Sequence, residues 1–216
     1  MDNFNFKNNV SLKDFCTFKI GGCAKFLFIA EDTVTLINVC LYAKEHNIKY
    51  KIIGLGANLL FDDLGYDGLI IVNKTNDICF TLRDPSTPLR MTAKDVYIPL
   101  TPLRMTAKCV EESHKRSDNF FVYVDSGVNV TSLIMKCALR SLCGFECLAG
   151  IPSTVGGAVV NSLGAFDTNF SDHVEWVECY HKSNLTKKLR LTHDECKFSY
   201  RSSLFKNGEY IITKVK

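Results

Sequence analysis

The sequence predicts an α+β fold, on three observations. Apolar runs of strand length recur at Lys25–Ala30, Lys49–Ile53 and Gly68–Val72, with a helix-spaced segment between the first two. The same strand-then-helix pattern returns from Phe120 onwards. The composition suits burial: 216 residues, 46% of them hydrophobic, are enough for one large domain or two small ones. Strands alternating with a helix of this length favour a mixed sheet over an all-helical or sandwich architecture.

Each element has its own signal. Asp32 or Thr33 can cap the first helix, in which Val34, Ile37, Cys40 and Leu41 recur at helical spacing and are expected to face the core, and His46-Asn47 ends it. The strand Lys49–Ile53 runs straight into the loop GLGANLL, and a glycine-containing turn at Leu64–Tyr66 precedes the next strand. FFVYVDSG is a strand entering a turn. A helix over about 130–142 is expected to bury Leu133, Ile134, Cys137 and Ala138, with Gly144 as its stop. After the glycine-rich GIPSTVGGAVV, strand alternation surrounds Trp176 between Val174 and His181. Thr192-His193-Asp194-Glu195 fits a capping box opening a short helical turn, and Tyr210–Val215 begins a further strand.

The middle of the chain differs. TPLRMTAK occurs at Thr87–Lys94 and again at Thr101–Lys108, a period of 14 residues, and Pro85, Pro88, Pro99 and Pro102 are four of the chain's five prolines. Two short copies do not make a solenoid, so a tandem duplication within a surface loop is the expectation.

Charge and cysteine usage set limits on function. The net charge of +3 argues against a nucleic-acid or membrane-surface binder. It is uneven, because nine Lys/Arg face three Asp/Glu between His181 and Lys216. No apolar run approaches the roughly 18 residues of a membrane span, and no secretory signal is visible. The expectation is a soluble, cytoplasmic protein whose ten cysteines are free thiols filling the core. No C-x-x-C pair occurs, and Cys143 and Cys147 have no second ligand pair at zinc-site spacing, so no metal is expected.

Two loops carry chemical interest. GLGANLL follows a strand, and its glycines let backbone N–H groups approach a phosphate. GIPSTVGGA has three glycines and the hydroxyl pair Ser153-Thr154, and can cradle a diphosphate in the same way. Neither is a dinucleotide fingerprint or a Walker A loop, and for either loop alone a tight structural turn is the more common reason for such glycines. No Ser-His-Asp, Cys-His or paired-carboxylate arrangement is readable from spacing.

Five motifs occur together in one order: TFKIGG (Thr17–Gly22), GLGANLL (Gly54–Leu60), Gly65-Tyr66-Asp67-Gly68-Leu69, GFECLAGIPSTVGGAVV (Gly144–Val160) and FSYRSSLFK (Phe198–Lys206). In this order they resemble the N-terminal two-thirds of the UDP-N-acetylenolpyruvoylglucosamine reductase family, the flavoenzymes of bacterial cell-wall precursor synthesis. The resemblance implies a two-lobed FAD-binding fold of the vanillyl-alcohol-oxidase (PCMH) type. It divides the chain into a first FAD-binding lobe (1–74), a duplicated loop insertion (75–119) and a second lobe (120–216).

By the same resemblance, FAD is held by Gly54, Leu55, Gly56, Ala57, Asn58 and Leu59 of the first loop. Gly150, Ile151, Pro152, Ser153, Thr154, Gly156, Gly157 and Ala158 of the second hold it from the other side. NADPH is the implied co-substrate and a UDP-sugar the substrate, whose enolpyruvyl double bond receives the hydride. Tyr200 is implied in substrate binding and Arg201 in catalysis, as a permanently charged fork facing the negative charge that grows on an enolate. The family's catalytic serine and glutamate lie in a third domain downstream of the strand at Tyr210, so the chain as given is expected to bind flavin without turnover. Departures from the family pattern are Ala57 for Ser, Ser153 for Gly, Ser162 for Asn, and Asp167 for the usual Gly. The alternatives are another flavin-dependent oxidoreductase of the same fold or a non-catalytic flavin-binding remnant. No protein partner is inferable.

The duplication yields a first test. Closure entropy grows only with the logarithm of loop length, so deleting Thr87–Lys94 with its spacer should leave the melting temperature nearly unchanged in a thermal scan.

Overall fold

The computed structural model describes residues 4–82 and 120–216, with the side chains of Leu82 and Phe120 outside the description. The TPLRMTAK copies and their prolines lie outside the described residues. Two sheets organise the chain. The first has the order β1-β2-β4-β3, from β1 (Lys7–Ser11), β2 (Cys23–Ala30), β3 (Tyr50–Ile53) and β4 (Tyr66–Asn73). β2 and β3 both pair parallel with β4, and β1 pairs antiparallel with β2. The second sheet is antiparallel, with the order β10-β9-β11-β6-β5. Its strands are β5 (Ile78–Leu82), β6 (Phe120–Asp125), β9 (Trp176–His181), β10 (Asn184–Thr192) and β11 (Tyr210–Val215). A small hairpin, β7 (Gly164–Ala165) with β8 (Thr168–Asn169), stands apart.

β4 explains the first lobe. Its residues from Gly68 to Asn73 are buried throughout, as a central parallel strand covered on both faces requires. Side chains alternate between faces, so Leu69 and Ile71 join one core cluster while Ile70 and Val72 join another. Helix α1 (Thr33–Glu45) covers the Leu69 and Ile71 face, and Leu185 and Ile211 of the second sheet complete that same cluster. The lobes therefore share apolar core.

The helix ends follow one rule. The Asp32 side chain accepts the Thr35 amide at 2.8 Å, the cap read from the sequence. At its far end, the Ile48 amide reaches Ala43 O and the Asn47 amide reaches Lys44 O, with Asn47 left-handed at φ +51°. This is a Schellman closure. α2 (Val130–Ala138) and α3 (Val155–Val160) repeat it with Ser141 (φ +57°) and Ser162 (φ +43°) in the left-handed position. The position where the family has Asn is thus one where Asn has a backbone advantage over Ser.

Several sequence expectations need correction. On α1, Ile37 and Cys40 are buried, but Val34 is 69% exposed, Leu41 is half-buried, and Leu36, Val39 and Ala43 complete the core face. α2 ends at Ala138, itself half-buried, because the Schellman turn closes before Gly144 is reached. The segment at Thr192 forms the reciprocal Thr192–Glu195 hydrogen bonds of a capping box, around a run of turns rather than a helix. The boundary at residue 75 falls too early for an insertion. Thr75 is fully buried, and β5 pairs with β6 and contributes Ile78 and Phe80 to the second lobe's core. β1 and β10 carry too little apolar character to be seen in the sequence.

Four buried cysteines give a pH prediction. Burial raises the thiols of Cys40, Cys137, Cys179 and Cys196 from 9.0 to about 12. The folded state therefore holds these protons more tightly than the unfolded state does. The resulting stability is complete below pH 9 and is lost as pH rises from 9 towards 12. Denaturant midpoints measured across this range should fall, and less steeply in Cys40→Ala than in the unsubstituted chain.

Candidate functional site

The two glycine-rich loops, far apart in sequence, come together in space. GLGANLL leaves the end of β3, GIPSTVGGA enters α3, and both line one cavity of about 370 Å³ between the two sheets. That volume is within the usual range of roughly 300–1,000 Å³ for a small-molecule site. Gly54–Leu59 all line it, as do Pro152, Ser153, Thr154, Gly156 and Gly157.

The glycines are demanded by packing as well as by any ligand. A Cβ on Gly54 would collide with the Thr154 hydroxyl and methyl, so the two loops touch at this point. Gly56 is left-handed at φ +67°, and a Cβ there would strike the carbonyl of Phe15. Gly157 is different: its Cβ would meet only the Ser153 and Thr154 side-chain oxygens, at 3.2 and 3.3 Å.

The loops differ in what their backbones can still donate. In the second loop, Val155 donates to Val128 O, Gly156 to Ser126 O, Gly157 to Thr154 Oγ1 and Ala158 to Thr154 O, and only the Ser153 and Thr154 amides make no hydrogen bond with the described residues. In the first, the amides of Leu55, Gly56, Ala57 and Asn58 make no hydrogen bond with the described residues. Three lysines from three elements, Lys51, Lys182 and Lys206, line the cavity, and no carboxylate lines it among the described residues. The formal charge of the lining residues is therefore positive, a balance that favours an anionic group. Asp125, one residue before the lining Ser126, is raised above the usual carboxylate range by burial, a shift opposed by the Asp77 amide and by Lys214.

Five residues implied by the resemblance lie outside the cavity lining. The Gly150 amide donates to Thr131 Oγ1 at 3.1 Å, Ile151 packs on the second lobe's core, and Ala158 is fully buried in α3. Tyr200, 92% exposed, and Arg201 occupy the turn closed by the Ser199–Ser202 bridge, with Arg201 left-handed at φ +53°. This turn is tied to the cavity in two ways. Lys206, a lining residue, donates from Nζ to Arg201 O at 2.6 Å, and Ser203 donates from Oγ to Val160 O at 2.9 Å. Ser203 thereby satisfies backbone, as a hydroxyl near a turn often does. Among the described residues no group of three or more His, Cys, Asp and Glu side chains is placed to hold a metal ion.

Sequence reasoning missed Asn73, Ser126, Asn161 and the three lysines, all of which line the cavity. The lysines had a partial signal in the basic character of the chain after His181, which contains Lys182 and Lys206.

The fold has known counterparts. The structure matches UDP-N-acetylenolpyruvylglucosamine reductase from Thermus caldophilus with a TM-score of 0.66 and 25% identity, over 99% of this chain and 61% of that one. It matches a solvent-stable cholesterol oxidase at 0.59 and 11% identity, over 99% of this chain and 38% of the other, a likeness of fold alone. The architecture is the two-lobed α+β FAD-binding fold of the vanillyl-alcohol-oxidase type. Within that class, the chain is similar in sequence to the UDP-N-acetylenolpyruvoylglucosamine reductases. The reductase of Lachnoclostridium phytofermentans is 30% identical over 208 residues, 94% of this chain and 56% of its own length. The chain spans about half the length of the curated relatives it matches. No family model matches it. No helix among the described residues is long and apolar enough to cross a membrane.

The contact between the loops is testable. Gly54→Ala pushes a methyl group into Thr154 and should cost about 1–3 kcal/mol, read from the denaturant midpoint. Adding Thr154→Ser, which removes the obstructing methyl but keeps a hydroxyl for the Gly157 amide, should recover part of that loss.

Proposed function

We propose that the chain is the flavin-binding part of an NADPH-using reductase that acts on the enolpyruvyl group of UDP-N-acetylenolpyruvoylglucosamine, in the cytoplasm, for peptidoglycan precursor synthesis. One observation carries the reading. Two glycine loops from different lobes close on a single cavity that has three lysines, no carboxylate among its described lining residues, and a run of uncommitted amides. A diphosphate placed between the loops has hydrogen-bond donors from Leu55–Asn58 and counter-charge from the lysines. When bound, FAD supplies the hydride-transfer chemistry that no side chain here provides.

The protein's own residues supply binding and charge control. Thr154 and Gly157 hold the second loop against the cavity, and Gly54 lets the first loop approach it. Arg201 is the residue for the substrate side. Its turn is held by Lys206 at the cavity and by the Ser199–Ser202 bridge. Facing a carboxylate on which enolate charge develops, the guanidinium fork stabilises the charged form more than the neutral one. Tyr200 beside it, exposed and 5.9 Å from the guanidinium at its ring centre, is available for substrate contact.

FAD titration tests the reading. The chain should quench flavin fluorescence with a one-to-one endpoint. Gly157→Val, whose Cβ presses on the Ser153 and Thr154 side-chain oxygens at the cavity, should weaken that binding at least tenfold in a variant that circular dichroism shows to be folded. Adding UDP-N-acetylenolpyruvoylglucosamine to the flavin complex should perturb its visible spectrum, and Arg201→Ala should weaken that response. Absence of FAD binding, or unchanged binding in Gly157→Val, overturns the assignment.

A further inference from the structure

The cavity has a wall that neither glycine loop provides. Asn73 is the last residue of β4, only 7% exposed, and it faces the cavity together with Ser126 of the second lobe. Its Nδ2 donates to Ser126 Oγ at 2.8 Å, and its Oδ1 accepts the Thr75 amide at 3.1 Å. Ser126 is then fully engaged. Its Oγ donates to Ile212 O at 2.7 Å, its amide to Thr213 O at 2.9 Å, and its carbonyl accepts the Gly156 amide at 2.8 Å.

The strand register gives this pair its leverage. β3 and β4 run parallel with Ile53 opposite Val72, so the next step along each strand places Asn73 beside Gly54, the first residue of the first loop. At its other end the pair holds Gly156 of the second loop through the Ser126 carbonyl. The joint has no slack: a Cβ on Gly127 would lie 2.6 Å from Asn73 Oδ1 and from the Thr75 amide, and one on Gly156 would lie 3.1 Å from Ser126 Cβ.

We infer that Asn73 and Ser126 are positioning residues of the cofactor site, their hydrogen-bonded pair setting the gap between the two glycine loops and so the affinity for a dinucleotide's diphosphate. The inference rests on the reading that FAD occupies the cavity. Asn73→Asp keeps the shape and removes the donor, since a carboxylate cannot donate to Ser126 Oγ. The hydroxyl can satisfy the new acceptor only by abandoning Ile212 O. With the pair's hydrogen bond gone, the gap between the loops has to be ordered on binding, and a preorganisation cost the size of one hydrogen bond is about a tenfold change in dissociation constant.

The experiment compares FAD with riboflavin, which lacks the diphosphate, by fluorescence titration. Asn73→Asp and Ser126→Ala should each raise the FAD dissociation constant about tenfold and leave riboflavin nearly unchanged, so the ratio of the two affinities falls. Ile37→Val, in the shared core and away from the cavity, should lower the melting temperature without moving that ratio. Asn73→Ala, which removes the donor without adding a charge, serves as a second variant with the same expected fall in the ratio if Asn73→Asp does not fold. Folded variants with an unchanged ratio overturn the inference and leave the cavity assignment standing. Failure of the unsubstituted chain to bind FAD overturns both.

Discussion

The close approach of Gly54 to Thr154 is the constraint on which the arrangement of the two lobes depends. It is tolerated because one partner has no Cβ, and it is supported from both sides by burial. Below it, Asn73 and Ser126 join the lobes through hydrogen bonds in a place where an unpaired polar group would be costly. Beyond it, Leu185 and Ile211 enter the core that α1 makes with the first sheet. Polar joint and apolar joint reinforce each other. The first fixes register, because hydrogen bonds are directional, and the second supplies most of the driving force, because it is proportional to area and insensitive to direction.

Local signals in the sequence were legible where the structure itself is local. The Asp32 cap, the stop at Asn47 and the strands around Phe26, Ile52, Ile70 and Ile212 depend on neighbours within a few residues, and spacing reveals them. Both glycine loops were legible for the same reason. The face of α1 was rotated from the expected one because it packs against two partners, the first sheet and the β10–β11 side of the second. A single apolar stripe therefore describes it poorly. β5 was hidden by the neighbouring prolines and the duplication, although Ile78 and Phe80 alternate with polar or half-buried neighbours as a strand should.

The remaining parts of the site were not legible, because they are made by distance in sequence. Asn73 and Ser126 are 53 positions apart, and neither lies in a glycine-rich or motif-like setting that would mark it. The lysines of the cavity come from β3, from the β9–β10 turn and from the segment after Arg201. Only the folded chain shows that they converge. Motif resemblance reached Tyr200 and Arg201 but not their connection to the cavity, which runs through the Lys206 side chain and an Arg201 carbonyl presented by a left-handed backbone.

The division of labour between the loops follows from counting donors. A glycine-rich turn is read as an anion cradle because its amides can point outward, yet in the second loop those of Val155 to Ala158 are consumed by Val128, Ser126 and Thr154, leaving only Ser153 and Thr154 without a hydrogen bond to the described residues. Its glycines are there to let the chain pass close to Ser126 and Thr154. The first loop has the opposite balance, with its glycines fixed by Gly54 against Thr154 and Gly56 against Phe15, and its following amides left over. In the proposed reading the anion meets the first loop, the lysines and the Ser153 and Thr154 amides, while the part of the second loop that enters α3 serves as a wall. A wall can be useful only if its distance from the donors is fixed. In that reading the hydrogen bonds that hold Gly156 to Ser126, and Ser126 to Asn73, set this distance without any of them touching the anion.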